Sequence, residues 1–123
     1  MAENAYLIKS DKSGDIRISA DVIDTIAALA ALELSDVVAV GPSAITEQIA
    51  RKGSKQVSKY VRTVSNDDGI DVDIALTLDF DSNVPAVVPK VQEKIKSTIE
   101  SMTGMHVNMV NIKIIGVDAK TVG

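Results

Sequence analysis

The chain has 123 residues and a mass of 13.0 kDa, enough for one domain that buries about two-thirds of its unfolded surface. Hydrophobic residues make up 46% and aromatics only 2% (Tyr6, Tyr60 and Phe80); with one His and no Cys, disulfides, thiolate sites, multi-His metal centres and stacked-ring surfaces are excluded. The formal charge of −4 is uneven, with eight basic and eight acidic residues in 1–62 but five and nine in 63–123, a balance that argues against a general nucleic-acid binder.

Residues 1–13 are expected to be partly flexible, although Tyr6-Leu7-Ile8 suits a short edge strand. No basic segment followed by an apolar one marks a secretory signal there. Residues 14–18 alternate polar and apolar and read as a strand. Ser19 then stands where a helix N-cap belongs, and Asp21 favours the positive end of the helix dipole. Val22, Ile23, Ile26, Ala27, Leu29, Ala30 and Leu34 recur at helical spacing, around most of the circumference, which predicts a helix covered on two sides or open to a partner. The apolar stretch is 13 residues (22–34) and carries Asp24 and Glu33, too short to span a bilayer.

Residues 37–40 form the next predicted strand, stopped by Gly41-Pro42-Ser43. Segment 44–59 reads equally as a helix or a loop. Residues 60–64 predict a strand, Asn66-Asp67-Asp68-Gly69 a hairpin turn, and the returning strand places Ile70, Val72, Ile74, Leu76, Leu78 and Phe80 on one face. Asn83 caps a second helix opened by Val84 and Pro85, with an apolar stripe at Val88, Val91, Ile95, Ile99 and Met102 and Gly104 as its stop. The last strand, 107–117, is apolar enough for a central position. The prediction is therefore an α+β domain in the order β-α-β-β-β-α-β, a mixed sheet of about four to five strands with two main helices packed on one face.

Chemistry is sparse in this pattern. Asp71, Asp73, Asp79 and Asp81 share a strand face but lack the loop of a calcium site, and negative charge on such a face also discourages edge pairing. His106 has no nucleophile motif beside it, and no glycine-rich phosphate loop occurs. No catalytic, metal or cofactor site is expected, and the protein is read as no enzyme. The remaining candidate is a basic run, Arg51, Lys52, Lys55, Lys59 and Arg62, free of acids. If helical, Arg51, Lys55, Lys59 and Arg62 share one side and would face nucleic-acid phosphates, lipid headgroups or an acidic partner; the alternative is a solvated loop.

The stretch Gly14-Asp15-Ile16-Arg17-Ile18-Ser19-Ala20-Asp21-Val22-Ile23 and the Ala-rich helix after it resemble the alkaline shock protein family, the envelope and general stress proteins of Gram-positive bacteria. Met102-Thr103-Gly104-Met105 and Val110-Asn111-Ile112-Lys113-Ile114-Ile115-Gly116-Val117 continue the resemblance. It implies a family domain over 14–118 with a short tail at 119–123. It further implies a non-enzymatic cytoplasmic protein of cell-envelope homeostasis, acting through protein partners such as a small membrane anchor and through self-association. Peripheral placement at the inner face of the membrane, through such a partner, would follow. One departure is Leu34-Ser35-Asp36-Val37-Val38, where the family often has an acid-Gly turn. Longer members also carry a polar tail after the position of Gly123, so tail-mediated anchoring is not expected here. The alternative function is nucleic-acid binding through the stripe from Arg51 to Arg62.

Overall fold

The computed structural model describes residues 5–42 and 59–119. These form a single α+β domain of six strands and two helices: β1 (Ala5–Asp11), β2 (Gly14–Ser19), α1 (Ala20–Leu32), β3 (Val37–Val40), β4 (Val61–Asn66), β5 (Gly69–Asp79), α2 (Val84–Thr103) and β6 (Val107–Asp118). The predicted order holds, with one strand added at the N-terminus. Tyr6-Leu7-Ile8 belongs to a longer strand than expected, and β1 pairs with β2 as a separate two-stranded hairpin instead of joining one sheet. The Tyr6 hydroxyl ties this hairpin to the domain, lying 3.0 Å from Thr63 Oγ1 and 3.3 Å from the Thr63 carbonyl oxygen.

The second sheet is built around β5. Its lower half, from Ile70 to Ile74, pairs antiparallel with β4, and its upper half, from Leu76 to Leu78, pairs antiparallel with β3. Between them, Ala75 accepts the Gly41 N–H at 2.8 Å and donates to the Tyr60 carbonyl at 2.9 Å. The chain thus leaves the sheet and returns to it beside one residue. The other edge of β5 is taken by β6 in parallel, which requires the long crossover that α2 supplies.

Alternation along β5 decides which face is covered. Ile70, Val72, Ile74, Leu76 and Leu78 are all buried in one cluster with Ile23, Ala27 and Ala30 of α1 and Val87, Val91, Ile95 and Ile99 of α2. Ala27, Ala28, Ala30 and Ala31 of α1 are at most 1% exposed, and their small side chains let α1 approach both the sheet and α2. The apolar circumference of this helix is thus covered from two sides by the sheet and α2, except at Val22 and Leu29, which stand 47% and 56% exposed. Aliphatic residues fill the interior, and the few aromatics sit at its margin.

Several expectations need correction. The buried stripe of α2 begins at Val87 and ends at Thr103, while Val88 is half-buried and Met102 is 66% exposed. The buried positions recur at a uniform spacing of four, from Val87 through Val91, Ile95 and Ile99 to Thr103, instead of the 3-4-4-3 spacing expected. Phe80 lies past the end of β5, where alternation no longer applies, and is exposed. Most consequentially, β6 is an edge strand and not a central one: among the described residues it pairs with β5 alone.

Both helix starts follow the capping chemistry. Ser19 Oγ accepts the Val22 N–H at 3.3 Å and Asn83 Oδ1 accepts the Ala86 N–H at 3.2 Å. Ser19→Ala removes the first cap and is expected to destabilise the domain by about 1 kcal/mol. In urea denaturation this should lower the midpoint and leave the slope unchanged.

Candidate functional site

The sheet face opposite the helices carries the outward residues of three strands. Cross-strand register sets Arg62 of β4 opposite Asp73 of β5, and Asp73 opposite Asn111 of β6. One row further along, Ala75 stands opposite Lys113. Because Ala75 is small, the floor between these longer side chains is low. The result is a surface cavity of about 580 Å3, open to solvent, lined by Lys59, Arg62, Asp73, Asn111 and Lys113 around a floor of Ala75 and the adjacent backbone.

Three of those residues are cations without a carboxylate partner among the described residues. Among the described residues the ion pairs are Lys9–Asp11, Arg17–Asp15 and Lys94–Glu33, with His106 Nδ1 3.2 Å from Glu100 Oε2. Lys59, Arg62 and Lys113 belong to none of them. The one carboxylate of the cavity, Asp73, is instead held by Asn111, whose Nδ2 donates to Oδ1 at 2.8 Å. That bond orients the carboxylate within the sheet face, and the guanidinium across from it has no ion pair among the described residues. The cavity therefore has an excess of positive charge in a protein of net charge −4.

The rim is set by the sheet connection. Tyr60 lies against Gly41, where an added Cβ would come within 2.6 Å of the ring. Thr77 is buried beside it and donates its hydroxyl to the Gly41 carbonyl at 2.8 Å. Both contacts fix where the chain leaves β3 and re-enters β4.

Two of the five residues singled out in the basic run, Lys59 and Arg62, line this cavity. Arg51, Lys52 and Lys55 lie outside the described residues, as does the question of helix or loop for 44–58. The helical spacing that grouped Arg62 with the others does not reach it. Arg62 is on β4, because Val61 is drawn into the core and Thr63 inward beside it, a period of two that overrides the helical register. Lys113 was missed. Its position on an alternating strand was readable, but its nearness to Arg62 depends on β6 lying parallel to β5.

The other titratable candidates go elsewhere. The four strand carboxylates do not assemble a metal site: no grouping of three or more ligand residues occurs among the described residues. Asp71 accepts from Asn66 Nδ2 at 3.0 Å and Asp73 from Asn111, while Asp79 and Asp81 lie at the far end of the strand. His106 is exposed beside Glu100, which accepts the Val107 N–H at 2.9 Å. That backbone bond, with smaller help from Lys96 and His106, holds the Glu100 carboxyl below its ordinary value. Asp24 was noted only as a charge in an apolar stretch. It is 6% exposed on α1, its Oδ1 has no hydrogen-bond partner among the described residues, and burial pushes its pKa up from 3.8 to about 6, with Asp21 adding repulsion.

Comparison with known proteins follows the same chain. The model of the alkaline shock protein 23 family, described by a cell envelope-related function, matches residues 8–119. The uncharacterized protein YqhY of Bacillus subtilis (strain 168) is 33% identical over 125 residues, covering 98% of this chain and 92% of that protein. The uncharacterized protein Spy1614 of Streptococcus pyogenes serotype M6 is 32% identical over 105 residues, covering 84% of this chain and 87% of its own. No solved structure matches.

Proposed function

The chain belongs to the alkaline shock protein family, whose function is cell envelope-related, and on that basis we propose that it is a non-enzymatic envelope-maintenance and stress-response protein acting by docking other chains. The observation that carries this reading is the free edge of β6. Among the described residues its strand is paired on one side only, and Met109, Ile115 and Val117 stand 54%, 40% and 62% exposed along it. An open row of backbone donors and acceptors flanked by apolar side chains is a template for an added strand. A register shift between Leu76 and Thr77 of β5 sets Ile115 out of the ladder as a bulge, which confines docking to short segments on either side of it.

The occupant in this proposal is a second copy of the chain or a membrane-anchored partner protein. No helix among the described residues is long and apolar enough to cross a membrane, and in this proposal a partner holds the domain there. Placement in the cytoplasm, at the inner face of the membrane, is part of the same proposal.

The test is affinity purification from the native cell with mass spectrometry, alongside sedimentation of the purified protein. Ile115→Lys with Val117→Lys adds charge at two exposed positions and should leave the thermal midpoint within a few degrees. The parent should sediment above monomer mass or retain a partner, and the double variant should lose that association. A parent that is monomeric and partnerless, or a variant that associates unchanged, would refute the proposal.

A further inference from the structure

We infer that the cavity on the open sheet face is a binding site for a small phosphate ester that carries free hydroxyl groups, a polyol phosphate. Three observations point to this chemistry together. Lys59, Arg62 and Lys113 converge on one concavity from three separate positions on the sheet and its rim, and none of them has a carboxylate partner among the described residues. In the same concavity Asp73 lines the wall with a carboxylate that Asn111 holds through Oδ1, which leaves its charge available to hydroxyl donors. The volume, about 580 Å3, falls in the range of small-ligand sites.

Each element selects for part of the ligand. Three cations around one space attract a doubly charged group, and a guanidinium matches two oxygens of a phosphate. A bare phosphate, however, would meet Asp73 as a like charge. A ligand with hydroxyl donors a few bonds away satisfies the carboxylate instead of opposing it. Glycerol 3-phosphate has that layout with two charges, and a phosphatidylglycerol headgroup has it with one. Long single-stranded nucleic acid is disfavoured, because the site offers one Tyr and no succession of rings on which bases would stack. The lining side chains are exposed, so the expected affinity is modest, with a dissociation constant on the order of 1 mM at low salt.

This inference uses the sheet face and not the free edge of β6, so its failure and that of strand docking are separately visible. Glycerol 3-phosphate and inorganic phosphate are titrated into the full chain by two-dimensional NMR. Glycerol 3-phosphate should bind more tightly, with shifts centred on Arg62, Asp73, Ala75 and Lys113. Arg62→Ala and Lys113→Ala should each weaken it about tenfold, with unchanged thermal midpoints. Asp73→Asn should strengthen inorganic phosphate while shrinking the preference for glycerol 3-phosphate. A site that acted only as a positive patch would not reverse in this way.

Vesicles containing phosphatidylglycerol, set against phosphatidylcholine vesicles, separate the two sources of the ligand. Binding to the former and to free glycerol 3-phosphate identifies a headgroup site, and binding to the free ester alone a soluble-ligand site; either supports the assignment. Equal affinity for the two phosphates, no shifts at about 10 mM ligand, or tight binding of an oligonucleotide in place of glycerol 3-phosphate would overturn it.

Discussion

Gly69→Ala is expected to destabilise the domain by about 3–4 kcal/mol and to lower its thermal midpoint by roughly 12 °C. Two costs coincide at this position. The backbone of Gly69 has φ of +147°, a conformation essentially confined to glycine, as the return of the β4–β5 turn requires. A Cβ there would also run into the carbonyl oxygen of His106, a backbone atom that cannot swing aside because it accepts the Ile70 N–H at 2.9 Å. That bond is where β6 begins its run along β5. Gly104→Ala is the control: φ of +75° is also left-handed, but nothing lies within 4 Å of the added carbon. It should cost about 1 kcal/mol. Equal midpoints for the two variants, by circular dichroism or calorimetry, would show that the His106 contact is relieved without loss.

Asp24→Asn is expected to stabilise the protein near pH 7.5 and to flatten its stability toward lower pH. The Asp24 carboxyl titrates at about 6 in the folded chain and at an ordinary value near 3.8 when unfolded, because burial penalises the charged form. Between these values the folded state holds more protons than the unfolded one. Its contribution to stability is therefore full below about pH 3.8 and is lost as pH rises through 6. The difference amounts to about 2–3 kcal/mol. Asparagine stays neutral throughout, so the variant should gain that much at pH 7.5 and nothing near pH 4. Glu100 runs the other way: its lowered pKa contributes stability that is lost as pH falls. Subtracting the two urea-derived stability profiles removes Glu100 and leaves Asp24. A variant less stable than the parent at pH 7.5 would mean that the ionised carboxylate has a favourable partner.

Much of the local structure was legible because its causes are local. Ser19 and Asn83 mark helix starts through hydrogen bonds to N–H groups three residues on. The Asn66-Asp67-Asp68-Gly69 turn and the alternation from Ile70 to Leu78 specify a hairpin and its buried face within one short stretch of chain. The family resemblance was legible for the same reason, since it rests on contiguous motifs that lie within residues 8–119.

The candidate site was only half legible. Lys59 and Arg62 were marked by their place in a run of cations, but on a helical register that Arg62 does not follow. Lys113 lies 51 residues after Arg62, and nothing near it in sequence points to a shared cavity. Composition, capping and alternation settled on an aliphatic α+β domain without Cys chemistry, with two helices over one sheet face. Strand neighbours in the sheet were left to the tertiary structure, because pairing partners come from distant parts of the chain and the crossover through α2 lays β6 beside β5 in parallel. That single placement turned an apolar strand of interior character into one that, among the described residues, pairs on one side only. It also brought Lys113 into the cavity with Arg62 and Asp73, the charge arrangement on which the site depends.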